Sequence, residues 1–147
     1  FIHYTVFNSF IYSKVKNFLT ILSILFFLII GLASIEDEAP AINSETQPVL
    51  SVNSKTLYKD YTNNEIAADD KYKGKVIQVS GTIRDIGNDI MDDAYITLVG
   101  DDFFGDIQCF FPDKSSLINL NKGQKVTVVG YCTGLFVNII LQNCVIK

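Results

Sequence analysis

Hydrophobic positions along the chain change their spacing twice, and each change marks a different kind of element. From Phe18 to Ile35 the sequence FLTILSILFFLIIGLASI has no polar period at all: eighteen residues, none of them charged. From Ser54 to Tyr72, the positions Leu57, Tyr61, Asn64, Ala68 and Tyr72 fall four, three, four and four apart, one stripe of an α-helix. Asn53 or Ser54 is placed to cap its first turn and Gly74 to stop it. Asn64 lies inside the stripe, so its amide is expected to be buried and bonded to the main chain of the next element.

After Gly74 the spacing becomes two. In Lys75–Ile86, Ile77, Val79, Gly81 and Ile83 alternate with Gln78, Ser80, Thr82 and Arg84, as in a long strand buried on one face. Gly81 in mid-strand marks a bend or a close approach of another backbone. Tyr95–Val99 and Ile107–Phe111 read as short strands with Ile96, Leu98, Ile107, Cys109 and Phe111 inward. Between Pro112 and Gly123, Leu117 and Leu120 lie three apart, enough for one or two helical turns. Lys125–Cys132 and Val137–Ile146 form a last hairpin around Gly134. Helix, three strands, short helix, two strands is the order of a five-stranded Greek-key barrel: an all-β domain with a flanking helix, over residues 54–147.

The apolar run decides where that domain resides. Eighteen helical residues rise about 27 Å, close to the roughly 30 Å hydrocarbon core of a bilayer. Lys14 and Lys16 precede the run and Glu36, Asp37 and Glu38 follow it, which predicts a single pass with the N-terminus inside and the domain outside the cytoplasm. Two outcomes stay open. The run is longer than the usual apolar part of a signal peptide, about 7 to 15 residues, which favours a retained anchor, while Gly31-Leu32-Ala33 offers the small residues that a signal peptidase reads. Either one exports the domain, tethered in the first case and soluble in the second. The chain opens on Phe1 and its one methionine is Met91, so its first residue is expected to be a fragment end or an over-extended translation, with 1–17 a short cytoplasmic segment. Residues 36–53, EDEAPAINSETQPVLSVN, hold two prolines, four acids and no base, and are expected to be a disordered acidic linker.

Charge narrows the function. Lys14 and Lys16 are the only ionised side chains before Glu36, so residues 36–147 carry 12 − 2 = 10 basic against 16 acidic groups, a net charge of −6. General nucleic-acid binding draws on an excess of Lys and Arg, so the balance argues against it. The only histidine is His3, which removes His-based acid–base chemistry, a Ser-His-Asp triad and a His-zinc site from the domain.

The blocks NEIAADDKYKGKVIQVSGTI, IQCFF, NKGQKVTVVGYCTG and LQNC, in this order and spacing, resemble the tRNA-anti-like family of bacterial exported OB-fold proteins over about Leu57–Lys147. The resemblance implies an OB-fold barrel and export. It implies no reaction, because a fold shared with anticodon-binding barrels is not a function.

Two groups of residues could still carry chemistry. Cys109, Cys132 and Cys144 lie on expected strands of an exported domain, where disulfides persist. Cys144 can face either of the others; a Cys132–Cys144 bridge across the hairpin is expected, with Cys109 a buried thiol and no redox role in the absence of a CxxC motif. Asp85, Asp89, Asp92 and Asp93, then Asp101, Asp102 and Asp106, cluster in turns without the alternating oxygen ligands and Gly turn of a calcium loop, and are expected to be solvated. Neither a metal nor a cofactor is expected.

The remaining surface follows from the barrel. OB folds bind ligands on the outward face of their second and third strands. That face is expected to present Tyr95, Thr97, Gln108 and Phe110, with Arg84 at the rim, Phe103 and Phe104 in the adjoining turn, and Leu135 and Phe136 in the last loop. Aromatic rings there can stack on sugars or bases, or instead cover the barrel end. With aspartates nearby to repel phosphates, the expected ligand is a protein or a glycan and the expected role is binding without catalysis; single-stranded nucleic acid is the alternative.

Overall fold

The computed structural model describes residues 39–103 and 105–147, which make up one compact unit, Ala39–Lys147. Its elements are β1 (Leu50–Asn53), α1 (Ser54–Asn63), α2 (Glu65–Tyr72), β2 (Val76–Asn88), β3 (Ala94–Val99), β4 (Asp106–Phe111), a 3₁₀ turn (Lys114–Leu117), β5 (Lys125–Leu135) and β6 (Ile139–Ile146). Residues 1–38, with the apolar run 18–35 on which the anchor or signal expectation falls, lie outside the described residues, as does Phe104. Among the described residues no helix is long and apolar enough to cross a membrane.

The barrel closes through β2. Its first half, Val76–Thr82, pairs antiparallel with β5, and its second half, from Ile83 to Asn88, pairs with β3. Around the barrel the order runs β2, β3, β4, β6, β5 and back to β2, with β4 and β6 parallel. This is the OB-fold Greek key. The two-residue period does what it predicts: Ile77, Val79, Ile83, Ile96, Leu98, Ile107, Cys109, Val128 and Leu141 are inward and buried. Gly81 marks a close approach, because a Cβ there would come within 2.6 Å of Ser54 Oγ at the start of α1.

Three expectations need correction. The linker is not disordered throughout: Leu50–Asn53 forms β1, in parallel register with Ile77–Ser80, and Asn143 Nδ2 donates to Ala39 O at 2.8 Å. A four-residue strand with two side chains half-buried repeats too few times to show a period. The single helix is two. Asn64, at φ −161° and ψ 96°, leaves helical geometry, is exposed, and accepts from Ala67 N to cap α2. Its amide thus bonds main chain of its own element, as an Asn does at an N-cap. Gly134 is no turn tip. It is a bulge residue within β5 at φ +100°, and the turn is closed at Phe136 N to Asn138 O.

Tyrosine–aspartate hydrogen bonds tie the two helices to each other, and the pair packs on the barrel through a buried stripe, with Tyr61 reaching Cys132 on β5. Leu57, Tyr61, Ala68 and Tyr72 form that stripe. Tyr72 Oη donates to Asp60 Oδ2 at 2.6 Å, and Tyr61 Oη donates to Asp69 Oδ1 at 3.1 Å with Cys132 Sγ 3.7 Å away. Tyr58 lies over the turn beyond β3, where the positions of Gly100 and Gly105 leave room for its ring.

Candidate ligand-binding face

The outward side chains of β3 and β4 come in register, Tyr95 opposite Phe110 and Thr97 opposite Gln108. Tyr95 and Phe110 have ring centroids 6.0 Å apart at 59°, the tilted geometry that aromatic pairs prefer. Tyr95 lies flat because its neighbour on β2 is Gly87; a Cβ there would sit 3.3 Å from Tyr95 Oη. Gln108 Oε1 accepts from Asn138 Nδ2 at 3.2 Å, tying the face to the β5–β6 turn. Thr97, opposite Gln108, is buried, and its Oγ1 is the one buried side-chain oxygen or nitrogen among the described residues without a hydrogen-bond partner.

Arg84 is on this face but is already engaged. A register shift between Ile83 and Asp85 turns its side chain across β3, where Nε meets Asp106 Oδ1 at 2.7 Å and Nη2 donates to Asp101 O. The rim acids are similarly occupied. Asp85 pairs with Lys122, whose ammonium together with the Ile86 amide holds the carboxyl below its usual range. Asp92 pairs with Lys114 at 2.7 Å. Asp89 Oδ1 accepts from the amides of Met91 and Asp93, and Asp101 Oδ1 from those of Phe103 and Gly105, so these aspartates build their own turns. Among the described residues no three His, Cys, Asp or Glu side chains gather as a metal site would require.

The two ends of the face are apolar. Phe103, 79% exposed, and Phe136, 87% exposed, lie in the turns that open β4 and β6, and Val137 adjoins Phe136. Leu135 is half-buried against the core. At the opposite end the β2–β3 turn exposes Ile90 fully and Met91 largely, two residues that the sequence reading missed. The signal was present as adjacent apolar residues inside a run of turn-forming Asn and Asp.

The expected Cys132–Cys144 bridge is absent: all three cysteines are buried free thiols. A register shift between Cys132 and Gly134 in the β5–β6 ladder sets Cys132 opposite Leu141, with its thiol toward Tyr61, while Cys144 packs on Gly130. Burial raises the thiols of Cys132 and Cys144 above the usual cysteine range.

The model of the tRNA_anti-like family matches residues 13–146, including the apolar run. The chain belongs to the tRNA_anti-like family. Among solved structures it is similar to a "putative nucleic acid-binding lipoprotein" from Klebsiella pneumoniae, at 21% identity and a TM-score of 0.55 over 66% of this chain and 90% of that one. It is also similar to a "putative aspartyl-tRNA synthetase" from Leishmania major, at 12% identity and a TM-score of 0.41 over 74% of this chain and 22% of that one. The first likeness establishes the shared fold. No curated protein matches the chain significantly.

Proposed function

We propose that this tRNA_anti-like domain is a binding module that catalyses nothing, is carried outside the cytoplasm by residues 18–35, and takes a protein or glycan on the β3–β4 face. The observation that carries the reading is the neutral character of the face: the Tyr95–Phe110 pair lies beside the Gln108–Asn138 amides, and Arg84 is already matched to Asp106. Aromatic rings with adjacent amides suit a sugar ring or a peptide, because both present apolar patches beside hydrogen-bonding groups. The exposed Ile90, Met91, Phe103 and Phe136 extend this apolar contact at both ends.

Single-stranded nucleic acid is the second reading, favoured by the exposed aromatics and by the description of the Klebsiella neighbour. It would require phosphates to approach Arg84 through Asp101, Asp102 and Asp106. Titrating a fluorescent oligothymidylate at low salt separates the two. No saturation below about 100 μM supports the proposal, and micromolar affinity that falls with added salt overturns it. A photo-cross-linking residue placed at Phe136 should capture an envelope protein or glycan that the same residue at Ile66, exposed on α2, does not.

A further inference from the structure

A groove of about 800 Å³ crosses the barrel away from that face. Its floor is the outward side of the β2–β5 ladder, where Ser80 stands opposite Thr127 and Thr82 opposite Lys125. The start of α1 forms one wall and brings Lys55, and Lys147 closes the other. No carboxylate side chain lines it.

That is unusual for this molecule. The domain is acidic, and Lys55, Lys71, Lys73, Arg84, Lys114 and Lys122 each meet a carboxylate within 3.1 Å. Among the described residues Lys59, Lys75, Lys125 and Lys147 form no such ion pair, and two of these four, Lys125 and Lys147, line the groove; Lys147 Nζ donates only to Ser44 O, at 3.2 Å. Lys55 reaches over the wall to Asp102, an exposed pair that exchanges readily with solvent. Two cations without carboxylate partners, a third loosely held, three hydroxyls on the floor and the positive end of α1 converge on one cavity. Hydroxyls and ammonium groups together complement a tetrahedral oxyanion, which offers several acceptors and a charge at once.

We infer that this groove binds a phosphate-bearing anion, independently of the ligand on the β3–β4 face. A free phosphate compound and a phospholipid headgroup present the same chemistry. Both are tested on the full chain in neutral phosphatidylcholine nanodiscs, read by amide NMR shifts. In one arm inorganic pyrophosphate is titrated; in the other, part of the phosphatidylcholine is replaced by phosphatidylglycerol.

Shifts at Ser80, Thr82 and Thr127 in the pyrophosphate arm support a free phosphate ligand. The same shifts in the phosphatidylglycerol arm alone support a headgroup. In either arm Lys125→Gln and Lys147→Gln should each weaken binding about three- to fivefold, as expected for loss of one exposed ion pair, while Lys59→Gln on α1 leaves it unchanged. Silence in both arms overturns the inference, and so do shifts elsewhere or equal loss in all three variants. Tyr95 and Phe110 should not respond, so failure here leaves the reading of the other face standing.

Discussion

The Cys144 thiol fills the space that a side chain at position 130 would take: a Cβ on Gly130 would come within 2.6 Å of its sulfur and 3.1 Å of the Leu141 Cβ. The β5–β6 ladder can bulge here only because the residue under Cys144 is a glycine. Gly130→Ala should therefore destabilise the domain by about 1–3 kcal/mol, the usual range for overpacking. Cys144→Ala removes the sulfur and should recover a large part of that loss. A double-mutant cycle by urea denaturation measures the coupling, and strictly additive effects would contradict the contact.

The same burial predicts how the thiols react. Cys109, Cys132 and Cys144 should be inert to a thiol reagent in the native chain at neutral pH and yield three equivalents in denaturant. Burial raises the folded-state values of Cys132 and Cys144, and burial with the neighbouring thiol raises that of Tyr61. A raised value means that the neutral form is favoured by folding. The stability so gained is whole below the ordinary thiol value, about 8.5, and is lost as pH rises above it. Melting temperature should decline from about pH 9 upward, and Cys132→Ala should make that decline shallower. A flat alkaline limb would contradict buried, protonated thiols.

On the acid side Asp60 is one of two carboxylates, with Asp85, that the fold holds below the ordinary range. The Tyr72 hydroxyl and then the Lys71 ammonium hold its carboxyl below the ordinary range, so its contribution is complete above that range and disappears as pH falls through the lowered value. Asp60 is partly exposed, so solvent screens the pair. Asp60→Asn should lower stability at neutral pH and flatten the acid limb of the melting curve below about pH 4, with the two proteins converging at the lowest pH. Parallel acid limbs would assign the loss to other carboxylates.

The barrel was legible because its strands are half-buried. Alternation over Ile77–Ile83 or Ile96–Leu98 reports one buried face directly, and the inward residues it names are the core. What escaped was set by single residues or by contacts remote in sequence. Asn64 continues the helical stripe in spacing yet stops α1, because its amide caps α2 more favourably than it continues α1. The strand Leu50–Asn53 exists only because β2 offers an edge 27 residues on (Ser80 opposite Asn53). Cys132 and Cys144 share one hairpin, which suggests proximity, but the pairs next to the turn, Leu135 with Ile139 and Gly134 with Ile140, point Cys132 at Gln142, and the bulge between Cys132 and Gly134 moves it to Leu141, away from Cys144. On the candidate face the residue types were readable, but Arg84's engagement with Asp106 was not: it depends on a bulge at Ile83/Asp85 that no periodicity marks.

Thr97 offers the sharpest separation of folding from function on that face. Its hydroxyl is buried at the centre of the face with no partner, which costs about 1–3 kcal/mol against a paired group. Valine has nearly the same shape and no oxygen, so Thr97→Val should raise the melting temperature, with a gain of about 1 kcal/mol by denaturant titration. An orphan kept for structure alone would have no reason to remain a hydroxyl; one kept for a ligand would, since proteins hold unfavourable polar groups where binding uses them. The variant should thus be more stable and should lose captured ligand in the Phe136 cross-linking experiment. Unchanged or lower stability would mean that the hydroxyl finds a partner in the folded protein, and a stabilised variant with full capture would remove Thr97 from the binding face.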